Sequence, residues 1–199
     1  TRLSRGLGDV YKRQMDNYAK VLQCLRYFDQ SLGERLTGFE LLWNNTYQTM
    51  TAEDTHYQSP LQKAEMYVVF VELLGMHAQR DAQDLQDACA HGFEQDWIAD
   101  ACFFDTAAAQ EECWKIREDV AALELHAPHN QHFDISIPIG EIGKIMNDIL
   151  SELHHIEGVL GAYPFGHVAD GNMHLIVGKE NNSKPVSYTH LRAHETTVY

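Results

Sequence analysis

The decapeptide Phe165-Gly166-His167-Val168-Ala169-Asp170-Gly171-Asn172-Met173-His174 constrains this chain more than any other stretch. Asp-Gly between β-compatible segments is a strong hairpin signal, because both residues tolerate the positive φ of a tight two-residue turn. With Asp170 and Gly171 as that turn, Ala169 faces Asn172, Val168 faces Met173, and His167 faces His174. Directly opposed residues on one face have Cβ atoms roughly 4.5–5.5 Å apart, close enough for two imidazoles to share a metal ion. On one uninterrupted strand the same pair would lie about 23 Å apart and point to opposite faces. Two incidental histidines in a chain that holds 12 would give the same pattern, so the spacing leaves both readings open.

Around this hairpin, helical and strand patterns alternate without repeats or low-complexity text. Tyr18 to Ser31, Arg80 to His91, Thr106 to Leu123 and Glu141 to Ile156 read as helices. In the third, Ala109, Cys113, Ile116, Val120 and Leu123 step at helical spacing behind an Asp105 or Thr106 cap. In the fourth, the stripe is Ile142, Ile145, Met146, Ile149, Leu153 and Ile156. Leu36 to Trp43 reads as a strand with Phe39, Leu41 and Trp43 on one face, and Met66 to Leu74 as a strand buried on both. Shorter strands are expected near Trp97 to Phe103 and Phe133 to Ile137. Mixed order of this kind predicts an α+β fold, a mostly antiparallel sheet covered by helices.

The two ends read differently. Ser4 to Gln14 back-translates to a stretch ending GGA GAT GTG TAT AAG AGA CAG, which resembles the transposase mosaic-end adapter of sequencing libraries, and Val186 to Thr196 back-translates to its reverse complement. Residues 1–14 and 186–199 are therefore expected to be non-native, leaving residues 15–185 as a domain truncated on both sides. Met15 to Pro185 carries ten Lys and Arg against 27 Asp and Glu, a formal charge of −17, which disfavours nucleic acid and anionic membranes as partners. No apolar run approaches the length of a membrane span. With 44% hydrophobic residues the segment can bury a core. Cys24, Cys89, Cys102 and Cys113 show no C-x-x-C pairing and read as reduced, mostly buried thiols. That suits a bacterial cytoplasm, and a mitochondrial matrix equally.

Gly166-His167-x-x-Asp170-Gly171-Asn172-x-His174, preceded by Phe133-Asp134-Ile135-Ser136-Ile137-Pro138, resembles the C-terminal domain of the FAD-linked D-2-hydroxyacid dehydrogenases, which include D-lactate and D-2-hydroxyglutarate dehydrogenases and the flavin subunit of glycolate oxidase. Phe39-Glu40-Leu41-Leu42-Trp43 and Trp114-Lys115-Ile116-Arg117-Glu118 match the same family in the same order. The likeness covers most of residues 36 to 178. It implies a ferredoxin-like cap over the flavin and oxidation of a small 2-hydroxyacid to the 2-oxoacid. It also implies FAD held mainly by a preceding N-terminal domain, since residues 15–185 have no Gly-rich phosphate loop. By the same likeness His167 and His174 are ligands of a divalent ion of the Zn or Mn kind, completed by a downstream carboxylate. The catalytic base is expected downstream as well, so no catalytic residue is expected within the chain.

Arg117 stands where the family holds the substrate carboxylate, a planar two-point match for guanidinium. Asn172 stands where the family approaches the flavin. His132 occupies a substrate-side position that is Lys in D-2-hydroxyglutarate dehydrogenases, and Ala121 and Ile176 replace a family Thr and Asn. Read without the likeness, Arg117 is a solvated helical arginine near Glu118 or Glu124. His154 and His155 point about 100° apart and do not chelate together; His126 and His129 read as solvated loop residues, and Trp43, Trp97 and Trp114 as core. Two other functions stay open from the residues alone: a two-His metal-dependent hydrolase, and a non-enzymatic acidic α+β interaction module. The electron acceptor is not encoded here, and a homodimer is an open expectation.

Overall fold

The computed structural model describes residues 10–15, 17–52, 55–61 and 65–181, and of residues 10–15 the backbone alone. The chain divides into two compact units, Thr1–Asp119 and Val120–Tyr199. The strand pairings within each unit are antiparallel, and helices accompany the strands of both units, so the fold is α+β as the alternating patterns predict.

The first unit contains β1 (Val10–Met15), α1 (Tyr18–Leu32), β2 (Leu36–Trp43), α2 (Asn44–Met50), β3 (Tyr67–Leu73), α3 (Ala78–Glu94), β4 (Asp100–Phe104) and α4 (Ala107–Glu118), with strand order β4-β1-β3-β2. Asn17 caps α1 by accepting a hydrogen bond from the Lys20 amide at 3.0 Å. Its buried residues Val21, Cys24, Phe28 and Leu32 form one stripe. Aromatic contacts of Tyr67 with Tyr18 and Trp43 place that helix on the Phe39, Leu41, Trp43 and Val69 face of the sheet. On the other face α4 lies over Gly38, Glu40 and Phe70: the Phe70 and Trp114 rings are 6.2 Å apart, and a Cβ at Gly38 would come within 3.4 Å of the Trp114 ring. β2 is thus buried on both faces from Phe39 onward, where the alternation alone suggested one.

Two expectations change in this unit. The helix expected to run from Thr106 to Leu123 breaks at Asp119, which caps α4 in a non-helical conformation before α5 (Val120–His126) begins. Asp119 accepts a 2.6 Å hydrogen bond from the Tyr57 hydroxyl, a contact between segments 62 positions apart that no local pattern encodes. Thr106 rather than Asp105 is the cap, accepting from the Ala109 amide at 3.3 Å. Residues 10–14, expected to take no part in the fold, form β1 with Met15 and pair with both β3 and β4. Ladder hydrogen bonds come from the backbone, so any extended non-proline segment can fill a strand position whatever its side chains. The rest of the two end segments, residues 1–9 and 186–199, lies outside the described residues.

The second unit contains α5, β5 (Gln131–Ser136), α6 (Ile142–His154), β6 (Val159–His167) and β7 (Asn172–Lys179), with β7 between β6 and β5. Burial follows the two-residue period: Phe133, Met173, Leu175 and Val177 turn to the apolar side, where α6 supplies Ile142, Ile145, Met146, Ile149 and Leu153. The opposite face carries His132, Asp134 and Ser136 from β5, Asn172, His174 and Ile176 from β7, and Tyr163, Phe165 and His167 from β6. The Tyr163 hydroxyl bonds the His126 carbonyl, and a Cβ on Gly178 would meet Ala127, so α5 and its following loop cover the Ile176 end of this face. At the His174 end Asp134 and Ser136 are exposed, His167, Asn172 and His174 half-buried, and Phe165 buried.

Cys24, Cys89 and Cys113 are buried, Cys102 is half-buried, and none of the four is in a disulfide, as the spacing predicts. No described helix is long and apolar enough to cross a membrane.

Candidate functional site

The connection between β6 and β7 is not the two-residue turn that Asp-Gly suggests. Val168–Asp170 form a 3-10 turn and Gly171 follows at φ 76°, so four residues link the strands. The Gly171 amide bonds the Val168 carbonyl at 3.2 Å, and the Asp170 carboxylate accepts from the Asn172 amide at 2.9 Å. Gly171 also lies against the loop after β5: the Ile137 amide bonds its carbonyl at 2.9 Å, and a Cβ would run into the Ile137 carbonyl oxygen. This contact accounts for the longer connection, since the turn is held to a third segment as well as to its own strands.

The register therefore shifts by two. His167 opposes Asn172, and His174 opposes Phe165, instead of His167 opposing His174. A shift of two residues preserves the face, whereas a shift of one would have reversed it. The imidazoles remain neighbours along a diagonal, with ring centroids 5.5 Å apart and the rings edge to face.

On the far side of β7, Asp134 opposes His174 directly, and His174 Nδ1 and Asp134 Oδ1 are hydrogen-bonded to each other. The Asp134 side chain is 78% exposed and that of His174 26%. Asn172 sits between His167 and Ser136 in the same row across the three strands. His132 lies one pleat further toward the covered end, 2.9 Å from Glu124 on α5 and 3.1 Å from the Asn130 amide oxygen. His167, His174, Asn172 and His132 thus share one face of one small sheet.

Imidazole nitrogens bind Zn-like ions at about 2.0–2.1 Å, which puts the rings of two ligands of one ion about 5–6 Å apart between centroids. The His167 and His174 rings meet that requirement as a pair. Among the described residues no three His, Cys, Asp or Glu side chains are grouped to hold an ion, and Asp134 is engaged on the His174 nitrogen. Two imidazoles by themselves do not complete the four-donor shell of such an ion.

Arg117 belongs to the first unit and is not the solvated residue that its helix pattern allows. Its side chain is 10% exposed and that of Glu40 is 9%; Nε and Nη2 both donate to Glu40 Oε2 at 3.0 Å. Trp114, one turn earlier, has its Nε1 buried without a hydrogen-bond partner. Trp43 is core, while Trp97 and Trp114 are half-buried. His154 and His155 are exposed, and His155 Nδ1 bonds the Ser151 carbonyl.

Glu40 and Asp134 are the two members that the sequence reading quoted in motifs without assigning a partner. Glu40 had a usable signal: a carboxylate inside the apolar run Phe39 to Trp43 is costly to bury without a cation. Asp134 had only its position on a short alternating strand.

Residues 10–195 match the family described as FAD linked oxidases, C-terminal domain. Among curated proteins, the chain is 27% identical over 169 residues to the mitochondrial D-2-hydroxyglutarate dehydrogenase of Arabidopsis thaliana, covering 84% of this chain and 30% of that protein. It is 26% identical over 182 residues to a mitochondrial protein of Schizosaccharomyces pombe provisionally named D-lactate dehydrogenase, covering 85% and 34%. Against the D-2-hydroxyglutarate dehydrogenase of Xanthomonas citri it is 24% identical over 157 residues, covering 77% and 32%. The chain spans about a third of the length of these relatives. With Asp134, His167, Asn172 and His174 on one sheet face and this match over nearly its whole length, the chain belongs to the family of FAD linked oxidases, C-terminal domain.

Proposed function

We propose that this chain is the substrate-side part of an FAD-dependent dehydrogenase that oxidises a small D-2-hydroxyacid, of the D-2-hydroxyglutarate, D-lactate or glycolate kind, to its 2-oxoacid. The observation that carries the reading is the His167 and His174 pair on one side of the three-stranded face, at a ring separation that suits one shared ion. Bound FAD would supply the hydride acceptor, and a bound Zn- or Mn-like ion the Lewis acid that holds and acidifies the substrate hydroxyl.

The chain's own residues bind and orient. His167 and His174 would hold the ion and so place the hydroxyl relative to the sheet. Asn172, in the row between His167 and Ser136, offers an amide to the flavin side. His132 would face the distal end of the substrate. Arg117 is proposed to meet the substrate carboxylate. Glu40 fixes the guanidinium on β2 before substrate arrives and offsets its charge, so the contact supplies orientation more than raw attraction. FAD's phosphates and the proton-accepting base are assigned to parts of the enzyme beyond this chain. The four free thiols suit a reducing compartment, either a bacterial cytoplasm or a mitochondrial matrix.

The test is the intact enzyme assembled from the surrounding genomic sequence. It should reduce its flavin with one of the three hydroxyacids and lose that activity when His167 or His174 is replaced by Ala, with flavin content unchanged. Arg117→Lys should lower kcat/KM on the order of tenfold to a hundredfold, as expected for lost charge-assisted hydrogen bonds of roughly 1.5–3 kcal/mol. Full activity in both histidine variants after exhaustive chelation would remove the ion from the reading.

A further inference from the structure

We infer that Asp134 is a positioning residue for His174, holding the imidazole as its Nδ1–H tautomer and leaving Nε2 as the nitrogen that meets an ion; the ion in this statement rests on the function proposed above. The two residues are directly opposed on β5 and β7, so the pleat delivers their side chains to the same face. An ionised carboxylate only accepts hydrogen bonds, so in the Asp134–His174 contact the proton belongs to Nδ1. The neutral imidazole then has its lone pair at Nε2.

Both flanking strands restrain the ring. From β6, Phe165 stands opposite, its centroid 5.3 Å away at an interplanar angle of 40°. From β5, Asp134 fixes the rotation about the ring axis. His174 sits on the central strand of three, which is why it can be gripped from two sides; His167, at the end of β6, lies diagonally across from it. A free imidazole in water favours the proton on Nε2, so His174 without its carboxylate would present a protonated nitrogen to the ion for much of the time. Carboxylates behind ligating histidines typically change metal affinity by about 10–100-fold.

The experiment uses the 199-residue chain, labelled with 15N, and reads the His174 tautomer from long-range 1H–15N correlations at about pH 9, where ordinary histidines are neutral. Wild-type His174 should show the Nδ1–H pattern. Asp134→Asn should keep it, because an amide oxygen still accepts from Nδ1, while Asp134→Ala should convert it to Nε2–H. The exposed Asp134 side chain makes both replacements compatible with folding, which unchanged amide shifts in β1 to β4 would verify. Zn2+ affinity, measured by competition with a chromophoric chelator, should fall about 10–100-fold in Asp134→Ala and less in Asp134→Asn. An Nε2–H pattern in wild type, or a tautomer indifferent to Asp134→Ala, overturns the positioning role. So does Zn2+ binding that His174→Ala abolishes and Asp134→Ala leaves unchanged. Zn2+ binding that survives His174→Ala instead overturns the ion reading, and the tautomer result then decides the Asp134–His174 pairing separately.

Discussion

At the scale of residues, the Arg117–Glu40 pair shows how a motif position acquires its character from a distant partner. A buried ion pair contributes little net stability, because desolvation offsets its attraction, but removing one partner strands a charge. Glu40→Leu in this chain should therefore cost about 3–5 kcal/mol in urea unfolding, whereas Glu40→Leu combined with Arg117→Met should return to within about 2 kcal/mol of wild type. A loss in the double variant equal to the sum of the losses in Glu40→Leu and Arg117→Met alone would show that the two groups are not energetically coupled. The comparison matters for function, because an Arg117 variant can lose activity by disturbing α4 and β2 as well as by losing a substrate contact. Measuring stability beside kcat/KM separates the two.

At the scale of elements, two connections hold the architecture to its register. Gly171 is required twice, by its φ of 76° and by its approach to the Ile137 carbonyl. Gly171→Ala should lose about 1–2 kcal/mol from the backbone conformation alone, with the contact adding to it, and the loss should appear as broadened β6 and β7 amide signals before global unfolding. In the first unit, β1 is paired on both sides, so chains starting at residue 10 and at residue 16 should differ by more than about 1 kcal/mol, a clear effect on the scale of single substitutions. Equal stability would mean that these residues add nothing to the sheet, the outcome expected if they behaved as an appended segment. The Tyr57–Asp119 contact pins the end of α4. Hydrogen bonding to Asp119, then burial, pushes the Tyr57 phenol up to about 12. A phenol raised in the folded state contributes stability that is complete below its unfolded value of about 10 and is lost as pH rises through 12. Tyr57→Phe should abolish that part of the alkaline decline in melting temperature.

At the scale of the whole molecule, the proposed division of labour predicts what this chain cannot do unaided. It should neither retain FAD through gel filtration nor oxidise D-2-hydroxyglutarate, D-lactate or glycolate, because the phosphate-binding part and the base are assigned elsewhere. Tight FAD binding by the chain would relocate the flavin site onto these residues. With a formal charge of −14, this chain's surface as a whole would repel the anionic substrate proposed above, leaving its capture to local cationic groups. Activity of the intact enzyme should accordingly rise modestly with ionic strength at low substrate, as screening weakens the general repulsion.

What the sequence determined by itself is whatever depends on local period and chemistry. The helices around Val21 to Leu32 and Ile142 to Leu153, the strand at Leu36–Trp43, a cap at Asp105 or Thr106, the reduced cysteines and the α+β class were all legible as patterns within a dozen residues. The shared face of His167 and His174 was legible too, because a strand's period of two survives a register error of two. The short helix α2 was missed, although Tyr47 and Met50 stand at helical spacing; its seven residues are mostly polar and lack a side-chain cap. Tertiary structure alone decided the four-residue turn, the break at Asp119, the burial of β2 on both faces, and the partners of the site. Asp134 meets His174 across 40 positions and Glu40 meets Arg117 across 77. Local propensity is blind to such pairs: which side chain stands beside which carboxylate is set by strand register and helix docking.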